Sequence, residues 1–175
     1  MITLRPLVPD DAPALCRVYS GASVRFTSGK SLTADQAEDK IRAILAAAEA
    51  TPRDLWTWGV VVAGELIGCV GLRPRSATMA TISYILREDA WGHGYATKAV
   101  ANLLAFSCTL PGLESVEAKH HPENPASGRV LTKNGFARIG DTDILSEAGV
   151  TCFPTYGLHL YQRGSPSREC SCAWW

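Results

Sequence analysis

Residues 82–98, reading Ile82-Ser83-Tyr84-Ile85-Leu86-Arg87-Glu88-Asp89-Ala90-Trp91-Gly92-His93-Gly94-Tyr95-Ala96-Thr97-Lys98, constrain this chain more than any other segment. A run of β-branched and aromatic residues gives way to charged and small ones. A Gly-x-Gly turn then opens directly into an apolar, helix-periodic stretch, Ala99, Val100, Leu103, Leu104 and Phe106. Strand, glycine turn and helix in that order make an anion site. Glycines allow a tight turn with exposed amides, and the first-turn N–H groups of the helix point outward at the positive end of its dipole. Such a turn holds a phosphate or pyrophosphate without a lysine.

Two nucleotide-binding patterns fit poorly. A dinucleotide fingerprint needs a third glycine where Thr97 stands. A P-loop could only be built around Gly29-Lys30-Ser31, but Val24 replaces its first glycine and no apolar strand precedes it. A solvated loop describes that stretch better.

With 175 residues, 46% hydrophobic and 19% charged, the chain is expected to be one globular domain with a substantial core. Lys+Arg and Asp+Glu both number 17, so no global basic field favours nucleic acid or an anionic membrane. The opening Met1-Ile2-Thr3-Leu4-Arg5-Pro6 lacks the apolar core of a signal peptide, and no apolar run reaches membrane-spanning length. A cytoplasmic protein is expected. Cys16, Cys69, Cys108 and Cys152 sit among apolar residues, as small core-type side chains do in a reducing compartment.

Along the chain, Ile2–Pro6 reads as a strand, and Pro9-Asp10-Asp11 opens an amphipathic helix through Leu15 and Val18. Residues 20–32 read as a loop. Thr33-x-x-Gln36 is a capping box before a helix with Ala37, Ile41, Ile44 and Leu45 on one face, ending before Pro52. Leu55–Val62 and Leu66–Leu72 form a hairpin around Ala63-Gly64-Glu65, and Ala80–Leu86 is the next strand. The glycine-turn helix runs to about Cys108, followed by a strand over Leu113–His120. Asn124-Pro125 starts a helix that stops at Asn134-Gly135. Phe136–Ile139 and Thr155–Tyr161 are the last strands, with an acidic loop at residues 140–150 containing Asp141, Asp143 and Glu147.

Three segments in this order resemble the GNAT acetyltransferases. They are Gly64-Glu65-Leu66-Ile67-Gly68, the turn Trp91-Gly92-His93-Gly94-Tyr95-Ala96-Thr97, and Asn124-x-x-Ser127 leading to Lys133-Asn134-Gly135-Phe136. Trp91 in the turn's first position points to the subgroup resembling ribosomal-protein-alanine N-acetyltransferases. The resemblance covers roughly residues 1–162 and implies a mixed, mostly antiparallel sheet flanked by helices, an α/β (α+β) fold. Acetyl-CoA would lie where two central strands, Ile82–Leu86 and Val116–His120, splay apart.

On that resemblance, backbone groups of Tyr84, Ile85 and Leu86 meet the pantetheine arm and thioester, and amides of Gly92, His93, Gly94, Tyr95, Ala96 and Thr97 hold the pyrophosphate. The side chains of Trp91, His93 and Tyr95 are less committed, and an exposed turn residue describes His93 better than a phosphate contact. Asn124 is both a helix cap and a match to the family asparagine that reaches the pantetheine arm. Ser127 matches the serine proposed in this subgroup to protonate the CoA thiolate; the position of the more usual tyrosine is Leu131, so either Ser127 is the acid or the thiolate leaves without direct help. A plain surface serine is the competing account. Glu117 is the leading candidate base, acting through water, with a strand-edge salt bridge as its alternative. His120 lies close by, but strand alternation predicts that Glu117 and His120 do not both face the site. Lys133 and Phe136 resemble positions closing the cleft, with Phe136 a core residue.

Residues 164–175 read as a Gly/Ser/Pro linker and a tail containing Cys170, Cys172, Trp174 and Trp175, outside the domain at 1–163. Cys170 and Cys172 have no second ligand pair of zinc-like spacing, so no metal is expected. The reading is an acetyl-CoA-dependent N-acetyltransferase, monomeric or homodimeric, acting on a peptide or protein N-terminal amine. A small amine such as an antibiotic or polyamine is the alternative acceptor, and a non-catalytic acyl-CoA-binding module the alternative class.

Overall fold

The computed structural model describes residues 1–27, 29–146 and 149–160. Glu147, and the tail with Cys170, Cys172, Trp174 and Trp175, fall outside the described residues. The elements are β1 (Ile2–Arg5), α1 (Ala12–Val18), α2 (Ala34–Glu49), β2 (Trp56–Val62), β3 (Glu65–Pro74), β4 (Met79–Leu86), α3 (Tyr95–Ser107), β5 (Ser115–Lys119), α4 (Pro125–Lys133), β6 (Ala137–Ser146) and β7 (Gly149–His159). Short 3-10 turns precede α1, follow it at Gly21–Val24, and cover Glu88–Ala90.

Local chemistry fixes several boundaries. The Thr33 hydroxyl accepts from the Gln36 amide at 3.3 Å while the Gln36 side chain accepts from the Thr33 amide at 3.0 Å, the reciprocal box expected for α2. Asp11 accepts two bonds from the Arg5 guanidinium, both 2.7 Å, and one from the Val8 amide at 2.9 Å, which ties the end of β1 to the turn before α1.

The seven strands form one sheet in the order β1-β2-β3-β4-β5-β7-β6, antiparallel except for β4 and β5. Alternate residues feed two cores. Ala80, Ile82 and Leu86 of β4 pack with Ala99, Val100 and Leu103 of α3 and with Leu131 of α4. Ile85 and Cys69 pack with Leu15 and Val18 of α1 and Ala37 and Ile41 of α2. The result is a mixed sheet covered on both faces.

One expectation is corrected. Residues 140–150, read as an acidic loop, are mostly strand: β6 and β7 pair from Ala137↔Gly157 to Ser146↔Gly149. Gly140-Asp141-Thr142-Asp143 has no apolar run to announce a strand. Its order comes from a ladder with β7 and from cross-strand contacts such as the 2.7 Å bond between the Thr142 and Thr155 hydroxyls. As the sheet's edge strand, β6 tolerates polar, exposed residues.

Candidate functional site

β4 pairs with β3 along most of its length, from Pro74↔Ala80 to Gly68↔Leu86. Its parallel pairing with β5 covers only Met79↔Ser115, Ala80↔Val116 and Thr81↔Glu117. Beyond Thr81 the two strands part, so the remaining backbone of β4 faces an opening in the middle of the sheet. A cleft of about 1210 Å³ passes through this opening, lined by Tyr84, Ile85 and Leu86 on one wall and by residues of β5 and α4 on the other.

The glycine turn closes one end. Gly92 and Gly94 have φ of +78° and +73°, the left-handed region that residues with a Cβ avoid. Gly94 is the N-cap of α3 and supplies no side chain to bond its first-turn amides. These amides therefore face the cleft with no partner from the helix itself. Gly92, Gly94, Tyr95, Ala96 and Thr97 all line it. His93 does not line it, and its ring stacks on Tyr95 with centroids 5.4 Å apart. The Trp91 indole lines the cleft and also donates to the Leu86 carbonyl at 2.9 Å, a latch from the turn to the end of β4. That bond leaves the Leu86 carbonyl less free for a ligand than the resemblance implies. Arg87 braces the same junction through ion pairs to Glu65 and Asp89.

α4 stands opposite. Asn124 accepts from the Ser127 amide at 3.2 Å, which is the cap its sequence promised. The Ser127 hydroxyl lies 2.7 Å from the Tyr84 phenol, which also donates to the Ser127 carbonyl at 3.0 Å. Tyr84 entered the sequence argument through its backbone alone. Its side chain is the closer partner of Ser127, and the signal was its place on the same β4 face as Ile82 and Leu86. Burial pushes the Tyr84 phenol up to about 12, partly offset by the bond to Ser127, so it stays protonated at neutral pH. Asn134, read as a helix stop, also bridges helices: its amide donates to the Val130 carbonyl at 2.8 Å and to the Thr97 carbonyl at 3.2 Å. This fixes α4 against the first turn of α3. Lys133 lines the cleft, while Phe136 is 4% exposed in the core.

Side chains of β5 alternate between the two faces as expected, yet Glu117 and His120 are not kept apart. Val116, Ala118 and His120 are buried toward α3 and α4, and Glu117 points to the α2 face. Both Glu117 and His120 nonetheless line the cleft, because the opening runs through the sheet. Glu117 is half-buried on an interior strand, and its carboxylate has no hydrogen bond or ion pair among the described residues. That removes the edge salt bridge. The His120 ring sits beside Tyr156 at 5.5 Å, with Nδ1 2.8 Å from the His121 carbonyl. A carbonyl only accepts, so Nδ1 carries the proton. A Cβ at Gly128 would lie 2.7 Å from His120 Nε2, so only glycine lets α4 approach this closely. His121 shapes the loop before α4, accepting from the Glu123 amide at 3.2 Å and contacting Phe26 and Phe153. No group of His, Cys, Asp or Glu side chains suited to a metal occurs among the described residues. No helix among them is long and apolar enough to cross a membrane.

Comparison with known proteins agrees with this geometry. Residues 1–137 match the acetyltransferase (GNAT) domain family. The chain is 30% identical over 143 residues to the uncharacterized N-acetyltransferase p20 of Bacillus licheniformis, covering 79% of this chain and 80% of that protein. Among solved structures, RimJ of Mycobacterium smegmatis in complex with CoA-disulfide superposes with a TM-score of 0.77 at 22% identity, covering 90% of this chain and 81% of that one. The aminoglycoside acetyltransferase AAC(6')-Ib bound to coenzyme A and kanamycin gives 0.72 at 17%, covering 91% and 95%. Likeness at these identities speaks for the fold alone.

Proposed function

The chain belongs to the GNAT acetyltransferase family and is an acetyl-CoA-dependent N-acetyltransferase, and from that premise we propose that it acetylates the α-amine of a peptide or protein. The observation that supports the site is the parting of β4 from β5 after Thr81 and Glu117, beside a glycine turn with outward amides.

In this reading acetyl-CoA supplies the acetyl group as a thioester. The amides of Gly92–Thr97 hold its pyrophosphate, assisted by Arg129 and Lys133, which line the cleft and pair with no carboxylate among the described residues. The backbone of Tyr84, which turns to the opening while that of Ile85 turns to β3, orients the thioester as a further strand would. Asn124 caps α4 and so places Ser127 at the opening. Ser127 and Tyr84 form a hydroxyl couple in which either oxygen can donate. Ser127 gives its proton to the leaving sulfur and recovers one through water from the acceptor ammonium, while the Tyr84 phenol stays neutral and positions the Ser127 hydroxyl. Glu117, on the opposite face of the opening, takes the amine proton through water.

The weak base favours an α-amine. With an ordinary pKa of roughly 7.7–8.0, an α-amine is about a tenth or more neutral at pH 7, whereas an alkyl amine near 10.4 is almost wholly protonated. A single half-buried carboxylate suffices for the first acceptor and poorly serves the second. The test is CoA release with acetyl-CoA and a panel of peptides, polyamines and aminoglycosides. Turnover of peptides with free α-amines, abolished by N-terminal blocking, is expected. Preference for an aminoglycoside or polyamine would overturn the peptide reading.

A further inference from the structure

The charges along the cleft are lopsided in a chain whose formal charges cancel. Lys40, Arg73, Arg75, Lys119, Arg129 and Lys133 line it, against two carboxylates, Glu117 and Glu123. The Glu123 carboxylate is already engaged by Arg25 at 3.4 Å. Elsewhere among the described residues the arginines are partnered: Arg5, Arg17, Arg25, Arg42, Arg87 and Arg138 each meet a carboxylate. Arg53 lies over the Trp56 ring. Arg73, Arg75 and Arg129 have no carboxylate among the described residues, and all three line this cleft.

Arg129 and Lys133 stand on α4, near the turn proposed for the cofactor phosphates. Arg73 and Arg75 stand elsewhere. Arg73 is the register partner of Thr81, and Thr81 is the partner of Glu117, so the three share the α2 face of adjacent strands. Arg75 donates from Nε to the Thr81 hydroxyl at 3.1 Å, which holds its guanidinium at β4, the strand beside Glu117. Neighbouring strands are about 4.8 Å apart, so the backbone of Arg73, two strands away, lies roughly 10 Å from that of Glu117. One residue of extended chain spans about 3.3–3.6 Å, so this distance falls on the first two or three residues of a bound peptide.

We propose that the acceptor is an acidic peptide N-terminus, with Asp or Glu among its first residues held by Arg73 and Arg75 while its amine lies at Glu117. Unpaired guanidinium forks match carboxylates in charge and geometry, and the same cations repel a polycationic acceptor. The inference rests on the peptide reading and narrows it.

The test is steady-state kinetics on full-length protein with three peptides that differ only in residues 2 and 3: Ser-Asp-Glu, Ser-Ala-Ala and Ser-Lys-Lys. Losing a hydrogen bond to a charged group costs about tenfold in affinity, so the acidic peptide should exceed the neutral one by on the order of tenfold in kcat/KM. The basic peptide should be poorest. In an Arg73→Gln/Arg75→Gln variant the acidic-to-neutral ratio should collapse toward one, and Arg73→Glu/Arg75→Glu should reverse the order, with melting curves confirming a folded chain. Equal kcat/KM for the three peptides, or a ratio the variants leave intact, would overturn this inference while sparing the peptide reading. Turnover of no peptide would overturn both.

Discussion

Replacing Gly94 by alanine isolates what the turn does for a ligand from what it does for the fold. At φ +73° an added Cβ costs roughly 1–2 kcal/mol of left-handed strain. The loss of glycine's freedom in the unfolded chain returns about 0.4–1 kcal/mol of that. No packing contribution enters, because nothing lies within 4 Å of the new atom. The net destabilisation is therefore about 1 kcal/mol, a fall of roughly 2–4 °C in Tm for a chain of this size. Gly64, in the β2–β3 turn, has φ +83° and equally open space but does not line the cleft. Gly64→Ala should cost the same stability. The two variants should then part in calorimetric titration with acetyl-CoA. Gly64→Ala should bind as the parent does, whereas Gly94→Ala should lose at least about tenfold, the equivalent of one amide-to-phosphate bond. Gly94→Val, whose branched side chain fits this φ still less well, should lose more. Equal affinities for Gly94→Ala and Gly64→Ala would refute the assignment of the turn to the pyrophosphate.

Ser127→Ala and Tyr84→Phe should each lower kcat, on the order of a hundredfold, with little change in KM for acetyl-CoA. The double variant should lose no more than either single one, because the two hydroxyls act as one couple, and multiplicative losses would separate them. Arg5, bonded through both terminal guanidinium nitrogens, holds the Asp11 carboxyl below the usual carboxylate range. A depressed folded-state pKa stabilises above the unfolded value near 3.9 and loses that contribution as pH falls through the folded value. Asp11→Asn should thus cost roughly 1–2 kcal/mol at pH 7, the partly exposed Arg5 limiting the effect, and should flatten the acid limb of a Tm-against-pH curve. A parallel curve would remove the pair from the account. A chain ending at Arg163 should melt and bind acetyl-CoA like the full chain, since the described core closes with Leu160, and a large fall in Tm would make the tail part of the fold.

Features set by local chemistry were legible in the chain before any fold was known. The capping box at Thr33, the Asn124-Pro125 start, the Asn134-Gly135 stop and the left-handed turn at Gly92 and Gly94 all depend on residues within one turn of each other. The element order needed only periodicity and punctuation, and three motifs in sequence were enough for the family. Tertiary structure decided everything that depends on what lies across a gap. β6 ran on past Ile139 to Ser146 because β7 was there to pair with it, although Gly140-Asp141-Thr142-Asp143 carries no strand pattern of its own. Tyr84 acquired its side-chain role because α4 sets Ser127 against it, 43 residues away in sequence. Glu117 and His120 share one cleft although they project to opposite faces, because β4 and β5 stop pairing after Thr81 and open the sheet between those faces. Alternation along a strand assigns a side chain to a face, but only the pairing of neighbouring strands determines whether the two faces stay apart.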